Sequence, residues 1–199
     1  MSITDIYQTL EDRGNYQQIE DHGPYFCSLY DESGELKKGI KEPWLGEGYY
    51  FWDTRIDDAR WWGYTIYEQY TKGYVICHTC YDQHSSLLFD MVGSLAMFED
   101  FLDCAKVISL ERNIKKVSFP VVLEYLKRKE DFNYKAIRVW PDPKTFSSNS
   151  QFDVPFPGNQ ATIRKMEKIQ ICFFDKTLLN EPFVIVEKHP ITITPDFTI

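Results

Sequence analysis

The stretch Trp44-Leu45-Gly46-Glu47-Gly48-Tyr49-Tyr50-Phe51-Trp52-Asp53 crowds chemistry-bearing side chains together, and Asp57-Asp58-Ala59-Arg60-Trp61-Trp62 follows it. Two glycines flank a glutamate, four aromatic residues come next, and an aspartate closes the run. A glycine-hinged turn that enters an aromatic strand brings backbone and ring faces close to a flat ligand. Stacking on a nicotinamide or a base is the chemistry this order offers. A tight turn ahead of a core strand would use the same residues.

Other chemistry finds less support. Cys77-His78-Thr79-Cys80 resembles half of a zinc site, but it falls in a run that reads as a strand. Side chains three apart on a strand face opposite sides, so the two sulfurs diverge. No second such pair exists, and a redox pair of this spacing belongs at a helix N-terminus. The four histidines, His22, His78, His84 and His189, form no i, i+4 pair. There is no GxSxG elbow, no Walker-type phosphate loop and no full dinucleotide fingerprint around Gly46 and Gly48. Asp53, Asp57 and Asp58 are better placed to complement a helix N-terminus than to hold a cation. No metal is expected.

The elements that must position the aromatic run can be read from periodicity. Ile3, Ile6, Tyr7 and Leu10 have helical spacing over residues 3–13. Tyr25 to Tyr30 alternates between turn signals and reads as a strand, and Leu36 to Ile40 as a short helix. Tyr49 to Trp52 is a short strand, and Asp53-Thr54 caps a helix from Ile56 to Tyr70. Tyr74 to Tyr81 reads as a central strand. A long amphipathic helix starts at Ser85 or Ser86 and runs to about Leu110. Pro120 opens a helix to Lys129. Tyr134 to Trp140, Lys168 to Phe174 and Phe183 to Glu187 are strands, with a turn at Leu179-Asn180-Glu181-Pro182. Residues 144–162 read as a long loop and 191–199 as an edge strand or arm. The order predicts an α+β fold with mixed or antiparallel central sheets and flanking helices.

A length of 199 residues suits one domain, 1–199, and 43% hydrophobic with 26% charged residues suits a soluble globular chain. The net charge of -8 argues against broad non-specific nucleic-acid binding. No apolar run reaches membrane-spanning length, and Met1 to Gly14 is too polar for a secretory signal. Five widely spaced cysteines (27, 77, 80, 104 and 172) read as free thiols, so a cytoplasmic location is expected.

In the order of these segments the chain resembles the ADP-ribosyltransferase fold, in its bacterial histidine-tyrosine-glutamate branch. The parallels are Leu29-Tyr30-Asp31-Glu32-Ser33, Gly39-Ile40, the block Leu45 to Asp53, the helix carrying Ala59, the strand Tyr74 to Tyr81, and Lys168-Ile169-Gln170-Ile171-Cys172. Only the Leu45–Asp53 block is specific. The resemblance implies NAD as the ligand, lying across Gly46, Gly48, Tyr49 and Tyr50, with Tyr50 stacking on nicotinamide. Asp31 stands where the family has histidine, although His22-Gly23 offers another alignment. Gln170 stands at or near the catalytic glutamate, with Glu167 three residues earlier. NAD cleavage passes through a cation-like ribose, and a neutral Gln170 brings no stabilising charge to it. Two expectations follow. One is a divergent mono-ADP-ribosyltransferase or NAD-cleaving protein, a toxin or defence factor by family analogy, with Tyr50, Gln170 and Glu167 as catalytic residues. The other is an inactive module that binds NAD, ADP-ribose or a protein.

Overall fold

The computed structural model describes residues 3–31, 33–37, 43–68, 72–141, 153–155, 162–164 and 166–190. The elements are β1 (Ile3–Glu11), α1 (Tyr16–His22), β2 (Tyr49–Asp53), α2 (Ile56–Ile66), β3 (Tyr74–Asp82), β4 (Leu88–Asp90), α3 (Leu95–Glu111), α4 (Phe119–Lys127), β5 (Ala136–Val139), β6 (Asp153–Pro155), β7 (Thr162–Arg164), β8 (Gln170–Phe173) and β9 (Leu179–His189). Seven strands form one sheet in the order β4-β5-β8-β2-β1-β3-β9. β4 and β5 run parallel and every other neighbouring pair in it is antiparallel. β6 and β7 form a separate antiparallel ribbon. The expected α+β class with a mixed sheet is what the chain adopts.

One face of the sheet buries Ile6, Phe51, Val75, Cys77, Tyr81, Ile171 and Phe173, with Ile19 of α1 packed among them. The sheet curls around this face. Tyr81 on β3 and Phe173 on β8 meet at 5.5 Å although β1 and β2 lie between their strands. On the other face α2 covers Trp52, Tyr74 and Ile76. α3 and α4 cover Phe89, Ile137, Val139 and Cys172. Gly63 lets α2 lie directly on the sheet, because a Cβ there would overlap the Tyr74 ring.

Several expected elements are corrected. Residues 3–11 form β1, not a helix, paired with β3 along its whole length. Its burial alternates through polar Thr4 and Gln8, so hydrophobicity alone hides the period of two. Tyr25 to Tyr30 is no strand, only a chain carrying two isolated bridges, Cys27–Gly48 and, at its end, Tyr30–Leu36. The long helix expected from residue 85 starts only at Leu95, and Leu88–Asp90 is strand β4. Asp90 accepts the N–H groups of Val92 and Gly93 in a turn after β4, and Ser94 caps α3 by accepting from Met97 N–H. Leu179 to Pro182 lies inside β9, whose pairing with β3 carries register shifts. Asp53 and Thr54 do not cap α2, which starts after Arg55 without a side-chain cap. Residues 38–40 of the expected short helix, most of the 144–162 loop and the 191–199 arm lie outside the described residues. Among the described residues no helix is long and apolar enough to cross a membrane.

Candidate functional site

The turn before β2 is built on Gly46, whose φ of 79° is open to glycine and costly to other residues. Leu45 N–H donates to the Tyr50 hydroxyl at 2.9 Å, and that hydroxyl donates to Gly46 O at 2.7 Å. Tyr50 therefore clasps its own turn. Burial raises its hydroxyl well above the ordinary phenol range. Gly48 is required for space, since a Cβ there would stand 2.5 Å from Cys172 Sγ and 2.6 Å from Phe173 O. Glu47 takes the Ser28 hydroxyl and Leu29 N–H (2.9 Å), fastening the 27–30 segment to the turn. Nothing in the sequence had singled out that role.

Pairing of β2 with β8 sets Tyr50 opposite Cys172 and Trp52 opposite Gln170. Directly paired residues share a face, and so do residues two apart on a strand. Tyr50 and Gln170 thus lie on one face, one diagonal step apart. Gln170 Oε1 accepts from Trp44 Nε1 at 2.6 Å. Tyr49 points the other way, edge-on to Phe26 at 5.0 Å. Asp31 keeps to its own exposed turn, where Oδ1 accepts from Ser33 Oγ, Ser33 N–H and Glu35 N–H. The Ser33 hydroxyl, more than any other group, holds its carboxyl below the usual range.

Glu167 meets Arg55 Nη2 at 3.3 Å, and its carbonyl accepts from Trp140 Nε1 at 3.1 Å. Arg55 Nε lies 3.5 Å from Asp58 Oδ2, which takes Lys168 N–H at 2.7 Å. Burial raises the Asp58 carboxyl. Thr54 and Lys168 both have left-handed backbones, with φ of 64° and 61°. Positions of this kind collect at functional sites more often than elsewhere.

All five tryptophans of the chain gather here. Trp44 bonds Gln170, Trp52 pairs with it in register, and Trp140 bonds Glu167. Trp61 and Trp62 pack on Trp52 at 6.0 and 5.8 Å. Residues 44, 52, 61, 62 and 140 come from four separate parts of the chain, so only the β2–β8 register and the docking of α2 reveal their convergence.

Behind β2, on the inner face, Arg138 Nε meets Asp53 Oδ2 at 2.6 Å and Nη1 meets both Asp90 oxygens at 3.3 Å. Burial pulls the guanidinium down, and Asp53, Tyr81 and Asp90 together more than restore it. This network holds the end of β2 from which the tryptophan cluster projects. A separate recess of about 220 Å³ is lined by Leu10, Glu11, Arg13, Asn15, Ile19, Tyr25 and Tyr67, and none of the sequence-selected residues borders it. Cys77 lies in the inner core, and Cys80, three residues on, occupies the opposite face. Among the described residues no group of three or more His, Cys, Asp or Glu side chains is placed to hold a metal ion.

No family model, curated protein or solved structure matches this chain.

Proposed function

We propose that this chain is an ADP-ribosyltransferase-like binding module whose ligand is NAD or an ADP-ribosyl group, held between the Tyr50 turn and the tryptophan-ringed end of β2 and β8. The observation that carries this reading is the register Trp52–Gln170, which sets an amide beside the Tyr50 ring on one sheet face under Trp44. Rings and a neutral amide suit a flat base and a ribose hydroxyl. They do not suit the developing cation of NAD cleavage, which needs a fixed negative charge. The Tyr50 hydroxyl and the Gln170 carbonyl are already engaged internally, so grip comes from the ring face and the amide N–H group.

Cleavage is the second reading, and Glu167 favours it. That half-buried carboxylate lies three residues from Gln170 and is oriented by Arg55. Titration calorimetry with NAD, combined with a nicotinamide-release assay, separates the two. Binding without release is expected. Binding with release, lost in Glu167→Gln, would make the protein an enzyme. Absence of binding would remove NAD from the account. Tyr50→Ala should abolish binding while the protein stays folded.

A further inference from the structure

We propose that the face of Trp61 capped by Lys168 is a binding site for a methylated ammonium group, of the kind carried by a methylated lysine side chain, with Lys168 as its built-in occupant. The site adjoins the proposed NAD site, sharing the tryptophan cluster and Glu167 with it, but neither its ligand nor its test depends on that reading. Lys168 Nζ sits 3.6 Å from the Trp61 ring centroid, well inside the range of a cation over an indole. The ring cannot easily turn away, because Trp52 and Trp62 each hold it at 6.0 Å. Trp61 is nonetheless 39% exposed, so its face becomes reachable once the lysine swings off.

Two carboxylates face this ring, and burial disfavours a strongly hydrated primary ammonium beside them. Asp58 lies three residues before Trp61 on α2, on the same side of the helix. It anchors the backbone of Lys168; burial lowers the pKa of the lysine ammonium overall, while Asp58 and Glu167 act attractively on its charge. The left-handed backbone of Lys168 delivers its side chain into this site from the start of β8. A primary ammonium is strongly hydrated and gives up much to sit on a ring. A methylated ammonium is less hydrated and gains more from the same face. Arg55 offsets one of the two carboxylates, so with Lys168 moved aside the site keeps one net negative charge, which disfavours the phosphate of a choline headgroup.

The test follows the five indole N–H signals by NMR, assigned through single Trp→Phe variants. Tetramethylammonium is titrated into the full chain and into Lys168→Ala and Lys168→Met, with tert-butanol as a neutral molecule of similar size. In both lysine variants the Trp61 signal is expected to move at a concentration roughly tenfold lower than in the parent chain. Tert-butanol should leave it in place, and free trimethyllysine should bind more tightly than phosphocholine. A static Trp61 signal in variants whose other indole signals stay dispersed would overturn the proposal. An equal response to tert-butanol would do the same, as would phosphocholine binding at least as well as trimethyllysine. NAD is absent from the titration, so such a failure leaves the NAD reading untouched.

Discussion

At Tyr50 the hydroxyl and the ring have different tasks. The hydroxyl closes the Leu45–Gly46 turn through two hydrogen bonds, while the ring packs against the core layer under α3 and α4, diagonal to Gln170. Tyr50→Phe should cost about 1–2 kcal/mol in urea unfolding, since the turn loses both partners. It should still bind whatever the ring binds, unlike Tyr50→Ala. Gly48→Ala should cost about 1–3 kcal/mol by the same measurement, because the new methyl meets the Phe173 carbonyl as well as a movable thiol. The sequence marks Gly46, Gly48 and Tyr50 clearly, since a glycine-hinged turn and an aromatic strand leave local signatures. It is silent on Asp53 and Arg138. Their ion pair spans 85 residues of chain, and an aspartate after a strand looks like a helix cap. Gln170 falls in a short apolar run and Glu167 just before it, both singled out only through the family resemblance, and their indole partners arrive by tertiary pairing alone.

Elements with a local signature are read correctly, and those defined by distant partners are not. β2, β3, β5 and β8 are apolar runs rich in β-branched and aromatic residues, and α4 announces itself with Pro120. β1 fails because Thr4, Gln8 and Thr9 are buried and satisfied by remote groups: Gln83, the Tyr25 and Tyr50 carbonyls, and the Ala59 carbonyl. The tie between α2 and β9 carries a prediction at this scale. Arg60 grips Glu187 with both ends of its guanidinium, Nε reaching Oε2 at 3.0 Å, and also holds Asp57. Arg60, with lesser help from His189, pushes the Glu187 carboxyl down to about 2. A carboxyl depressed on folding adds stability that is fully present above its unfolded value of 4.5 and is lost as pH falls toward 2. Thermal unfolding between pH 5 and pH 2 should therefore fall less steeply in Glu187→Gln than in the parent chain. Parallel slopes would mean that the clamp is too solvated to matter.

Across the whole molecule, the sheet must protect two open edges and hold its curl. β4 limits one edge to three residues. On β9 the Ile185 N–H is taken by Glu20 of α1, and Lys188 covers the Tyr16 ring, so that edge is guarded by charged side chains. The curl closes over Arg138, which ties β5 to β2 across β8 and to β4 at the edge. Asp53 is fully buried there and Arg138 nearly so. Two carboxylates around one buried guanidinium make its loss severe. Arg138→Met should destabilise by about 3–5 kcal/mol, because the aspartates keep their desolvation cost without a cation. Adding Asp53→Leu should restore much of that loss, since removing a buried pair together is far cheaper than breaking it. Asp90 can stay, because Val92 and Gly93 N–H groups still satisfy it. Urea unfolding of the single and double variants measures the recovery. If the double variant regains stability yet loses its response to NAD, the ion pair positions the end of β2 for the ligand. If it regains both, the network serves the fold alone, and the tryptophan-ringed end of β2 and β8 holds its geometry without it.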